Sequence, residues 1–155
     1  MSGPEHELRV SKIRNGTVID HITGGQALNV LAILGIDGDE GVGVSIGMNV
    51  PSDKLGTKDV VKVEDRELSQ GEVDVLSLLA PEATVNIVRE YEVVEKKRVE
   101  RPERVIGLLT CPNHNCITNA DEPVESAFRV VDDGVRCEFC GDIVREDIGD
   151  HLAVH

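Results

Sequence analysis

The sequence predicts an α+β protein in two parts. A ferredoxin-like antiparallel sheet with two helices on one face fills residues 1–100, and a small all-β segment built around four cysteines fills 101–155. Three observations carry that prediction. Strand-like and helix-like hydrophobic periods alternate in the order strand, helix, strand, strand, helix, strand, with an extra piece at each end, which is the split βαβ arrangement. The stretch Glu100-Arg101-Pro102-Glu103-Arg104, charged and broken by proline, reads as a hinge. The chain's four cysteines then come as two close pairs, Cys111/Cys116 and Cys137/Cys140, separated by twenty residues.

Residues 1–6 are polar and read as disordered until they meet a partner. Leu8 and Val10 alternate with polar neighbours up to Ile13, a strand period, and Asn15-Gly16 marks a turn. Thr17 to Ile22 is a β-branched strand that sets an acid, Asp20, beside an imidazole, His21. Thr23-x-x-Gln26 has the spacing of a capping box, in which hydroxyl and amide each satisfy a free backbone N–H. The helix it opens carries Ala27, Leu28, Val30, Leu31 and Leu34 on its inner side, and Gly35 is suited to the left-handed stop.

In the stretch 41–50, Val42, Val44, Ile46 and Met48 alternate with Gly and Ser, predicting a strand buried on one face and close to something on the other. Lys58 to Glu64 is a further strand. Ser69-x-x-Glu72 is a second capping box, with Val73, Val75, Leu76, Leu78 and Leu79 on the apolar side of its helix up to Pro81. Ala83 to Val88 and Tyr91 to Val99 read as a hairpin. Beyond the hinge, Val105 to Leu109, Phe128 to Val131 and Ile143 to Val144 are short apolar stretches, read as small strands around the cysteines.

Aromatic residues make up 2% of the 155-residue chain and Trp is absent, so the core is aliphatic, and its smaller part is thin enough to need a staple. The formal net charge of −13 opposes binding to nucleic-acid phosphates, which depends on Lys and Arg displacing counterions. The acids are dispersed, which suits a solubilising surface and a salt-rich cytoplasm, where screening relieves self-repulsion. No apolar run approaches the roughly twenty residues of a membrane span. Reduced thiols and no export signal point to the cytoplasm.

Paired cysteines at these spacings match the knuckles of a zinc ribbon, in which four thiolates surround one ion in a tetrahedron. Such a closed shell leaves no position for substrate, so the expectation is one structural Zn2+ held by Cys111, Cys116, Cys137 and Cys140. Two disulfides in a secreted domain are the alternative, against which the cysteine-free first hundred residues count. Cys137-x-x-Cys140 taken alone would fit a redox dithiol, but the second pair argues for metal. His114, inside the first knuckle, reads as an exposed loop residue. His151 and His155 have a helical metal-binding spacing, with a frayed tail the simpler reading. The residues offer no nucleophile–base order or phosphate loop, so no catalytic residue is assigned. Lys62 and Lys96 fall on strands near the one bearing Asp20 and His21, where two ammonium groups and an imidazole suit a triphosphate. By chemistry alone they read as solvated strand-edge charges.

Several stretches change that reading: Gly16-Thr17-Val18-Ile19-Asp20-His21, Asn49-Val50-Pro51-Ser52, Gly56-Thr57-Lys58-Asp59 with Lys62, and Ala80-Pro81-Glu82-Ala83-Thr84-Val85-Asn86. With Tyr91-Glu92-Val93-Val94 and Lys96, Pro102-Glu103-Arg104, and Cys111-Pro112-Asn113-His114-Asn115-Cys116, they resemble the regulatory chain of aspartate carbamoyltransferase over nearly the whole length. The resemblance implies a non-catalytic allosteric subunit in pyrimidine biosynthesis. Its residues 1–100 would bind CTP, which inhibits in the family, or ATP, which usually activates, and would pair with a second regulatory chain. Its residues 101–155 would hold zinc and dock on a separate catalytic chain. By the same resemblance, Asp20, His21, Lys62 and Lys96 are expected to meet base, ribose and phosphates. Asn86, Tyr91 and Val93 are expected to wall the site with Val10, Lys12 and Ile13. Ser11 and Lys12 depart from the best-known members, as does the second knuckle at Glu138 and Gly141, whereas Asn113 and Asn115 keep the pattern. A zinc-ribbon adaptor for nucleic acid or the transcription machinery is the competing reading.

Overall fold

The computed structural model describes residues 13–39, 41–53, 56–120 and 124–153. The expected first strand, with Leu8, Val10 and Lys12, and the tail position His155 lie outside them. The chain divides into two compact units, residues 1–100 and 101–155.

The first unit runs β1 (Gly16–Thr23), α1 (Ala27–Ile33), β2 (Val44–Ser52), β3 (Gly56–Glu64), α2 (Gln70–Val75) with a 3-10 turn at Leu76–Leu78, β4 (Thr84–Arg89) and β5 (Glu92–Arg98). The strands form one sheet in the order β2-β3-β1-β4-β5, with every neighbouring pair antiparallel. Its first four strands have the ferredoxin-like order, and β5 widens the sheet by one. Each helix crosses over one intervening strand, and right-handed crossovers put both on the same face. Against that face Ile19, Val61, Val63, Val85 and Ile87 bury their side chains with Val30, Val73 and Leu76. The core is aliphatic, as the composition requires.

Four local expectations need correction. Thr23 and Gln26 make no capping box: Gln26 sits at the N-cap of α1 without a side-chain cap bond, its amide oxygen accepting from the Asn29 side chain instead, and its N–H is taken by the Thr23 carbonyl. The cap comes from β3 instead. The fully buried Asp59 accepts from the N–H groups of Gly25 and Ala27, both at 2.9 Å, through one carboxylate oxygen, and from Asn49 N–H at 2.8 Å through the other. A charged acceptor reaching across the fold outcompetes a local hydroxyl. Second, β2 is an edge strand, and its expected buried side is open, with Ile46 40% and Met48 43% exposed. Third, Tyr91 belongs to a turn rather than a strand. Glu90 and Tyr91, at φ 49° and 69°, form the two-residue link between β4 and β5, with the positive φ at both positions that a type I′ turn requires. Fourth, Leu28 does not share the inner side of α1: it is 60% exposed, while Ala27, Val30 and Leu31 are buried. The second capping box forms as expected, with Ser69 and Glu72 completing it, and Gly35 takes φ 70° after α1.

The second unit is a four-stranded antiparallel sheet ordered β6 (Arg104–Ile106), β7 (Ala127–Val131), β8 (Gly134–Cys137) and β9 (Ile143–Val144). Short 3-10 turns lie at Ile117–Asn119 and Ile148–His151. Fully buried Phe128 is its largest core side chain, with Val105, Leu109, Ala127 and Val135 also buried. Among the described residues no helix is long and apolar enough to cross a membrane.

Candidate functional site

The cysteines are delivered by two turns. In the first, Cys116 N–H donates to the Asn113 carbonyl, and the Asn119 amide donates to the carbonyls of Cys111 and Asn113 at 2.9 and 2.8 Å. In the second, Gly141 N–H donates to the Cys137 carbonyl at 2.9 Å, with Gly141 at φ 85°. All four sulfurs lie within 4.8 Å of one another; Cys111 and Cys140 stand 3.5 Å apart and Cys116 and Cys137 3.7 Å, all as free thiols. Sulfurs at about 2.3 Å from a tetrahedral zinc would be about 3.8 Å from each other. The donor set therefore fits such an ion in number, type and spacing.

Burial pushes the Cys111 and Cys137 thiols up, whereas the Thr118 hydroxyl, donating at 3.2 Å, holds Cys116 down to about 7. Clustered thiols of this kind would release their protons to solvent as a cation binds the thiolates. His114 is exposed, and the four-sulfur group forms without it. His151 lies in the 3-10 turn, where its carbonyl accepts from Thr110 N–H. At the knuckles Asn113 uses its side-chain oxygen to accept from Asn115 N–H at 3.0 Å, and Glu138 forks onto Arg104 at 2.9 and 3.1 Å.

The second constellation follows from sheet register. Residues directly opposite across antiparallel strands share a face. Lys62 pairs with Val18, Val18 with Asn86, and Asn86 with Lys96, so these four form one row across β3, β1, β4 and β5. Three strand spacings separate Lys62 from Lys96, about 14 Å. Asp20 opposes Thr84 in the next row, and Val93 opposes Val88 on the hairpin side. Beneath them Ile13, Val18, Val60 and Val88 make a small apolar floor on this face. Tyr91 stands at the hairpin tip, 64% exposed, its N–H donating to the Arg14 carbonyl. Val10 and Lys12 lie outside the described residues.

A bulge alters the strand's alternation. The β1–β3 register shifts between Ile19 and Ile22, and His21 takes φ 57°. Its Nδ1 reaches Thr84 Oγ1 at 3.1 Å, so acid and imidazole, neighbours in sequence, work on the same side of the sheet. Two residues that sequence reasoning left without a role join them. Lys58 Nζ lies 2.9 Å from Asp20 Oδ1 with both side chains largely buried, and Thr84 holds His21. The signal for Lys58 was its period: Lys58, Val60 and Lys62 alternate onto one face of β3.

A sheet that gathers four thiols, together with a five-stranded α+β sheet whose open face is lined by lysines, defines a two-unit metal-binding protein. Its relatives narrow that class. Residues 8–100 match the model of the aspartate carbamoyltransferase regulatory chain, allosteric domain, and residues 103–149 match that family's metal binding domain. The chain is 70% identical over 152 residues to the aspartate carbamoyltransferase regulatory chain of Haloarcula marismortui, covering 98% of each. It is 62% identical to that of Halobacterium salinarum and 55% identical to that of Methanoculleus marisnigri, covering 96% of each chain in both comparisons. The chain belongs to the aspartate carbamoyltransferase regulatory-chain family, and is a regulatory rather than a catalytic chain.

Proposed function

We propose that this chain senses CTP and ATP on the open face of its first unit and transmits their binding, through a zinc-stapled second unit, to a separate catalytic chain of aspartate carbamoyltransferase in the cytoplasm. The observation that carries the nucleotide reading is the row Lys62–Val18–Asn86–Lys96, with Asp20, His21 and Lys58 beside it. In a chain of net charge −13, ammonium groups converging on one face supply the attraction that a triphosphate needs. Asp20, Asn86 and the Thr84–His21 pair offer acceptors and donors for ribose and base, and the valine floor with Tyr91 offers apolar wall.

Cys111, Cys116, Cys137 and Cys140 would hold the zinc, which supplies folding free energy and no reaction. The exposed Ile106, Ile117 and Phe139 of the second unit are apolar surface for the catalytic chain to cover. The open edge of β2, with Ile46 and Met48, suits pairing with a second copy. Effector control then requires unequal affinity for two quaternary states, typically about 1–3 kcal/mol of coupling.

The test is to co-purify the chain with a carbamoyltransferase catalytic chain and titrate CTP by calorimetry. Lys62→Ala and Lys96→Ala are expected to weaken CTP by about tenfold each, as loss of one charge-assisted contact does, with the complex still assembled. Unchanged affinity in both variants would refute the assigned face.

A further inference from the structure

One of the four clustered sulfurs has a side-chain partner outside the cluster. Cys116 is buried and stands at the N-terminal end of the 3-10 turn Ile117–Asn119. That turn is locked twice. Asn119 N–H donates to the Cys116 carbonyl at 2.9 Å, and the Asn119 side chain bridges to the carbonyls of Cys111 and Asn113 in the preceding knuckle. So fixed, the turn holds the Thr118 hydroxyl 3.2 Å from Cys116 Sγ. Cys116 is the one sulfur of the four with a hydroxyl donor among the described residues.

We infer that Thr118 is a positioning residue of the metal centre, whose hydroxyl donates to the Cys116 thiolate and slows release of the ion. This rests on the proposed zinc site. The physical reason is charge. Four thiolates around a divalent ion carry a net charge of −2, and a hydroxyl proton on one sulfur spreads part of it away from the metal. The same contact restricts the Cys116 side chain, so that a sulfur leaving the ion must first break a second bond. Partners outside the ligand shell typically contribute about 10–100-fold to metal affinity.

The experiment uses the full chain loaded with one zinc equivalent. Release is followed as transfer to excess 4-(2-pyridylazo)resorcinol, and the sulfur-to-metal charge-transfer band is recorded for the Co2+-substituted protein. Thr118→Val keeps the branched shape and removes the hydroxyl; Thr118→Ala removes it without placing a methyl in the turn; Thr118→Ser restores it. Release is expected to quicken by about tenfold in the Val and Ala variants, with a shifted charge-transfer band, and to stay within about twofold of the parent in Ser. Equal release from parent, Val and Ala, or a Ser variant as fast as Ala, overturns the role of the hydroxyl while leaving the zinc site standing. A parent chain that takes up no zinc at all overturns the metal reading and this inference with it.

Discussion

Asp59 is the residue on which the first unit turns. Its carboxylate has no exposed surface and satisfies three backbone N–H groups, two at the start of α1 and one in the bulge of β2. Nothing near α1 in sequence announces this, because the acceptor lies 32 positions from Ala27. The local spacing Thr23-x-x-Gln26 pointed to another cap, and the tertiary partner won because it brings a full charge. Asp59→Ala should therefore strand all three donors and lower stability by about 3 kcal/mol, measured by urea unfolding. A loss below about 1 kcal/mol would mean that water replaces the carboxylate. By contrast the grouping of the four thiols was legible: four cysteines in two knuckle spacings announce their own cluster. The polar face was half legible, since Asp20 and His21 are adjacent, but the arrival of Lys58 at Asp20 depends on register.

At the scale of elements, α2 follows its own sequence. Burial pushes the Glu72 carboxyl up, but the Ser69 N–H and the Arg66 guanidinium outweigh it and hold the group below its ordinary value of 4.5. A carboxyl depressed on folding stabilises above the unfolded value, and that contribution fades as pH falls through the folded one. Glu72→Ala should cost about 1 kcal/mol at pH 7, with the gap between variant and parent shrinking toward pH 3 in denaturant titrations. The β4–β5 hairpin obeys a different logic. Its two-residue turn calls for Asn-Gly and instead carries Glu90 and Tyr91, both at positive φ, with the Tyr91 ring mostly in solvent. A bulky residue held in that region without compensating burial costs stability that a glycine would spare. Tyr91→Gly is expected to raise stability by about 0.5–1 kcal/mol on thermal melting while weakening CTP in calorimetry. Stability and affinity falling together would show that the ring serves the turn. The edge position of β2 was the element least visible beforehand, because alternation records which residues share a face and says nothing of what covers it.

For the molecule as a whole, charge sets the conditions. The surplus of 29 acidic over 16 basic side chains is dispersed along the sequence, and several of the ion pairs it forms, such as Arg89 with Glu67 and Arg145 with Asp133, lie exposed. Pairs of that kind contribute little, so the net repulsion among the remaining acids dominates. Thermal stability should rise by about 5 °C or more between roughly 0.1 M and 2 M KCl as screening shortens the range of that repulsion. Melting curves that coincide at the two salt concentrations would show that the acids do not oppose folding.

The straight row from Lys62 through Val18 and Asn86 to Lys96 crosses four strands at a single level. A molecule clasped along it would lie as a strut perpendicular to the strands, and the motion it would brace is the sheet's twist, the one deformation that changes the angle between neighbouring strands without breaking their ladders. Tension on that strut would reach the β5 margin directly and the β2 margin through the adjoining β3, with no need for a hinge inside the sheet.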